Sequence, residues 1–100
     1  MGVFRPYPLA TVNIVAATSS ARVALPAWDH AEGAVYVSNS GSVPVYIEFG
    51  TSSVSASTTA SMQVLPGEHR VIQSSNAPYV AAITGSSTAA IYFTAGVGDN

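Results

Sequence analysis

The sequence has no cysteine and no lysine, and charged residues of any kind make up only 8% of its 100 positions. Without cysteine there is no disulfide framework and no thiolate-ligated metal site. Without lysine, the only fixed cations are Arg5, Arg22 and Arg70. Three scattered arginines at a net charge of −2 cannot release the counterions that drive phosphate binding, so nucleic acid is excluded as a partner. No apolar run approaches the about 20 residues of a membrane-spanning helix, and no membrane partner is expected. The opening Met1-Gly2-Val3-Phe4-Arg5-Pro6 lacks the cationic-then-apolar pattern of a secretory signal, and Pro6 spoils a myristoylation motif. The expectation is a chain made and first folded in a cytosol.

What is present is apolar and hydroxylic. Hydrophobic residues make up 48%, ample for one core, and 22 residues are Ser or Thr. An average protein carries about 25% charged residues. Either the Ser/Thr coat keeps this surface soluble, or much of the surface is covered by partners, where charge would have to be desolvated.

Apolar and polar residues alternate in short runs, the mark of half-buried strands. Val43, Val45, Ile47 and Phe49 share one face, and Pro44, Tyr46 and Glu48 the other. Pro44 cannot donate a ladder hydrogen bond, so that strand begins there or lies at an edge. Val35 and Val37 mark a strand over Ala34–Ser38, and Asn39-Ser40-Gly41-Ser42 is a linker of hairpin length. A second hairpin is expected between Tyr79–Thr84 and Thr88–Ala95, through Gly85-Ser86-Ser87. Pro66-Gly67, the central pair of a type II turn, joins Met62–Leu65 to Glu68–Gln73. Ala10–Ala17 and a short segment around Val23 and Leu25 complete about eight strands. Thr51–Ser61 reads as a long surface loop or a poorly patterned edge strand. Helical periodicity is absent. The predicted fold is all-β: an antiparallel β-sandwich or jelly-roll-like barrel of about eight short strands, with an extended N-terminal arm. The arm takes residues 1–9 and a single sandwich domain takes 10–100.

The arm is written by Val3-Phe4-Arg5-Pro6-Tyr7-Pro8, where two prolines force extended backbone. Its aromatics either fold back over their own domain or lie against a neighbour. Tyr36, Tyr46 and Tyr92 stand opposite the apolar stripes of their strands, where tyrosine offers contact area with a hydrogen-bonding tip; a carbohydrate platform would use the same residues. The candidate interface is therefore Val3, Phe4, Arg5, Pro6, Tyr7, Tyr36, Tyr46 and Tyr92.

Catalytic signals are lacking. No Gly-x-Ser-x-Gly elbow exists, and neither His30 nor His69 has a nucleophile motif beside it. Asp29, His30 and Glu32 form the densest polar cluster, but their spacing matches no metal motif and a solvated loop explains them. Trp28 beside them is a core plug or an interface anchor. Glu68 and Arg70 are placed to pair on a strand surface, and His69 points with Val71. No catalytic residue, cofactor or metal is predicted, and a small hydrolase or lyase is the weakest reading.

The runs Ser20-Ala21-Arg22-Val23-Ala24-Leu25-Pro26 and Val35-Tyr36-Val37-Ser38-Asn39-Ser40-Gly41-Ser42-Val43-Pro44-Val45-Tyr46-Ile47-Glu48-Phe49-Gly50 resemble small β-rich proteins encoded among tailed-phage structural genes. Leu65-Pro66-Gly67, Tyr79–Thr84 and Thr94-Ala95-Gly96-Val97-Gly98 fit the same pattern, so the resemblance spans residues 10–98. It implies a bacteriophage virion protein of the capsid decoration (cement) type on the outer head surface. Its partners would be the major capsid protein and copies of itself, as a trimer or other small oligomer. The alternative is a neck, tail or fibre component acting as an adaptor or as a receptor- or glycan-binding module.

Overall fold

A computed structural model describes residues 5–25, 34–73 and 77–97. Trp28, Asp29, His30 and Glu32 lie outside the described residues, as do Val3 and Phe4. The alternating runs form eight strands: β1 (Arg5–Ala16), β2 (Ala21–Ala24), β3 (Ala34–Asn39), β4 (Val45–Gly50), β5 (Met62–Val64), β6 (His69–Gln73), β7 (Tyr79–Thr84) and β8 (Ala89–Val97). No helix occurs among the described residues. The strands make two antiparallel four-stranded sheets, a front sheet in the order β1-β8-β3-β6 and a back sheet in the order β2-β7-β4-β5. The all-β sandwich expected from the alternation is the observed fold.

The strand orders have a simple origin. β4 pairs with β5, β3 with β6, β2 with β7 and β1 with β8, so the chain is one long antiparallel ribbon with residues 51–61 at its tip. Rolling that ribbon places successive pairs in alternate sheets, which is the jelly-roll arrangement. Two alternating sheets then close on each other with their apolar faces inward. Val12, Ile14, Ala16, Val35, Val37, Ile72, Ala89, Ile91 and Phe93 come from the front sheet. Val23, Val45, Ile47, Phe49, Met62, Val64, Val80 and Ala82 come from the back sheet. Phe93, Ile47 and Ile91 are the largest fully enclosed side chains, each worth about 1.5–3 kcal/mol of burial.

The topology corrects both expected hairpins: β3 and β4, and β7 and β8, lie in opposite sheets, as do β5 and β6 across the Pro66-Gly67 turn. Their short linkers therefore cross the sandwich rather than fold a strand onto its neighbour. Sheets pack about 10 Å apart, and three or four extended residues at roughly 3.3 Å each span that gap. Composition that favours reversal serves a crossing equally well. The Pro66-Gly67 turn is itself as expected, with Gly67 at φ 77° and the Glu68 N–H donating to the Leu65 carbonyl at 2.9 Å. β4 starts directly after Pro44 and lies inside its sheet, between β7 and β5.

Residues 51–61 form a loop, not a strand, and it folds back over the outer face of the back sheet. The Ala56 N–H donates to Ser20 Oγ at 2.9 Å beside β2, and Ser61 Oγ donates to Glu48 Oε1 at 2.8 Å on β4. Between those anchors runs β7, whose outward-facing Ala81 is fully enclosed, and Ala56 of the loop is buried as well. Ser and Thr suit this loop because their hydroxyls bond locally, as Ser57 does with Thr59 and the Ser57 N–H with Ser61 Oγ.

Candidate interaction surfaces

The outer face of the front sheet follows from its register. One cross-strand row reads Asn13, Tyr92, Ser38, His69, and the next reads Thr11, Thr94, Tyr36, Val71. Val15 and Ala90 flank them, with Val15 63% exposed. No Asp, Glu, Lys or Arg occupies this face between Thr11 and Val15 on β1 and across to β6. Hydroxyls bond across it, Thr11 Oγ1 to Thr94 Oγ1 at 2.8 Å. The Tyr36 and His69 rings lie 5.8 Å apart, tilted at 36°. The face is thus neutral and mixes aromatic rings with hydroxyls, a composition suited to contact.

The predicted interface residues are not brought together. Tyr36 and Tyr92 share the front face, whereas Tyr46 lies on the outer face of the back sheet, where Gln63 Nε2 donates to its hydroxyl at 3.2 Å. Arg5 and Pro6 stand opposite Val97 and Gly96 at the start of the edge strand β1, with Tyr7 following them in that strand. Glu68 and Arg70 form the expected ion pair. The Arg70 guanidinium, and then the Leu65 N–H that donates to Glu68 Oε1 at 2.7 Å, hold the Glu68 carboxyl below its ordinary value. Among the described residues no three of His, Asp and Glu gather as a group that could hold a metal ion.

Sequence reasoning missed two features of the lateral edges. The first is Leu9. Between the pairs Pro6↔Gly96 and Thr11↔Thr94, residues 7–10 of β1 stand opposite the single Ala95 of β8. The excess chain bulges, turning Ala10 inward to 1% exposure and leaving Leu9 at 104%. Leu9 has φ 54°, a left-handed conformation that costs a branched residue about 1 kcal/mol. Nothing in Tyr7-Pro8-Leu9-Ala10 distinguishes this leucine from a core residue. The second is a cleft of 420 Å³ on the opposite lateral edge, lined by Ile47, Glu48, Phe49, Ala60, Ser61, Met62 and Ile72. It opens where β5, only three residues long, leaves the space between β4 and β6 incompletely covered. The sequence marks a short strand over Met62–Leu65, but not the cleft that opens beside it.

No protein-family model matches the chain, and no curated protein matches it. Among solved structures, a chain from Bacillus endospore appendages, a family of disulfide-linked pili, matches with a TM-score of 0.63 and 16% identity. The likeness covers 99% of this chain and 88% of that one. It is a likeness of fold, and it extends across the whole sandwich. This finding corrects the reading as a phage capsid decoration protein and its neck, tail or fibre alternative: the solved structure that this architecture resembles belongs to a pilus.

Proposed function

We propose that this chain is a non-catalytic structural subunit that assembles with copies of itself into a pilus-type filament. The observation that carries the reading is the likeness to the endospore appendage chain over 99% of this chain. The surface chemistry supports it. Ion pairs and exposed charges must be desolvated when subunits pack, and the front face carries none. The chain departs from its structural neighbour in one chemical respect. That family is disulfide-linked, and this chain has no cysteine. Its copies are therefore held by packing and hydrogen bonds, and reducing agents leave the assembly intact.

The test is direct. Purified chain, concentrated and imaged by negative-stain electron microscopy, forms filaments of uniform width that persist in reductant. Protein that remains monomeric at high concentration by light scattering, with no filaments on the grid, overturns the reading.

A further inference from the structure

We infer that Leu9 of one copy inserts into the cleft between β5 and β6 of the next, so that successive subunits join head to tail. The inference rests on the subunit reading above and names the contact that would build the filament.

Three observations converge on it. Leu9 is a large apolar side chain with no burial at all, held out on a bulge by a backbone conformation that leucine rarely adopts. Strain of that kind persists where the surroundings enforce it and marks sites of function. The cleft offers what such a side chain lacks. Phe49, Met62 and Ile72 belong to the core by position yet are only partly covered, and Ile47 lies behind them. Its 420 Å³ leaves ample room for a leucine side chain, given that a cavity of about 150 Å³ accepts benzene.

The placement of the two features decides what kind of contact they make. β1 and β6 are the two edges of the front sheet. Ala95, opposite the bulge, pairs with Val35, and Val35 pairs with Ile72 at the cleft. Knob and cleft thus stand at the two ends of one cross-strand row, at the same height on opposite sides. A protrusion on one side and a complementary pocket on the other make a heterologous contact, which propagates instead of closing as a two-fold dimer.

The experiment uses one variant at each half of the contact. Leu9→Asn keeps a residue that tolerates the left-handed backbone but removes the apolar knob. Ala60→Glu, at an exposed loop position, places a charge at the cleft mouth. Each variant alone keeps the wild-type β circular dichroism and melting temperature and stays monomeric under conditions where wild type forms filaments. Mixed one to one, they form a dimer that does not grow, because Ala60→Glu still offers its Leu9 and Leu9→Asn still offers its cleft. Sedimentation velocity reads this directly. Filaments from folded Leu9→Asn overturn the contact while leaving the subunit reading standing. Wild-type protein that never assembles overturns both. Absence of the mixed dimer, with both variants folded, overturns the knob-and-cleft pairing specifically.

Discussion

Asn39 and Val64 are 25 residues apart in the chain, and the Asn39 side-chain amide donates to the Val64 carbonyl at 3.0 Å inside the fold. The same amide nitrogen donates to the Val43 carbonyl at 3.0 Å, and Asn39 Oδ1 accepts the Gly41 N–H at 2.9 Å. The backbone of Asn39 is used as well, donating to the Glu68 carbonyl and accepting from the Gly67 N–H. One residue of 1% exposure therefore fastens the β3–β4 crossing to the end of β5 through its side chain and to the β5–β6 turn through its backbone. A buried amide is stable there because its donors and acceptor are satisfied.

Replacing Asn39 with Ala removes the side-chain donor to the Val43 and Val64 carbonyls and the acceptor of the Gly41 N–H. Each orphaned buried group costs about 1–3 kcal/mol, so the variant loses about 3 kcal/mol in total. For a domain of this size that lowers the melting temperature by more than about 10 °C. Thermal denaturation followed by circular dichroism measures it, and a shift under about 3 °C would mean that water substitutes for the amide.

Gly41 faces a different constraint. A Cβ placed on it would lie 2.3 Å from the Ala89 Cβ and 2.8 Å from the Ala89 Cα. Because one of those atoms is backbone, no rotamer change relieves the clash. Gly41→Ala is expected to cost about 1–3 kcal/mol, as overpacked sites do. The double variant with Ala89→Gly recovers only part of this, since the backbone of residue 89 still stands too close to the new methyl group. Full recovery in urea denaturation would show that β8 yields at Ala89.

These two positions show what the sequence makes legible. The period-two runs from Val35 to Phe49 locate strands because burying one face of a sheet demands alternation, whatever the strand order. Asn39-Ser40-Gly41-Ser42 announces a change of direction, but turn chemistry is local. It does not distinguish folding back along β3 from crossing to the other sheet. That ambiguity also hid the separation of Tyr36 from Tyr46, since both oppose valine stripes yet look out from opposite sides. The bulge at Leu9 and the cleft beside β5 were unreadable for a related reason. Both depend on the register of β1 against β8 and of β5 against β4, which pairing across the sheet decides.

The Glu68–Arg70 pair gives the stability a pH dependence of known sign. Arg70, followed by the Leu65 N–H, lowers the Glu68 carboxyl from its ordinary value of 4.5. A group held below its unfolded value contributes stability that is present above that value and is lost as pH falls through the folded one. Glu68→Gln therefore lowers the denaturation midpoint relative to wild type at about pH 7, and the difference shrinks towards zero as acid protonates the carboxyl. The effect is small because the pair is exposed to solvent and salt screens it. A difference that grows on acidification would reverse the assignment.

The absence of lysine makes proteolysis a clean probe of the edges. Trypsin-like cleavage needs Lys or Arg, and Arg5 precedes Pro6, whose ring obstructs the scissile bond. Only Arg22 and Arg70 remain, one inside β2 and the other inside β6. Both strands are sheet edges, so cleavage requires each to detach from a single neighbour, β7 or β3. Arg22 is the more exposed and has four residues of strand to hold it, whereas Arg70 is tied to Glu68. Native protein is expected to be cut first after Arg22, slowly, giving 1–22 and 23–100, with Arg70 cut only on global unfolding. In denaturant, fragments 1–22, 23–70 and 71–100 appear together. Local opening sets the first rate and global stability the second. Asn39→Ala should therefore accelerate cleavage at Arg70 far more than at Arg22. Equal acceleration at both sites would mean that β2 detaches only when the whole sandwich unfolds.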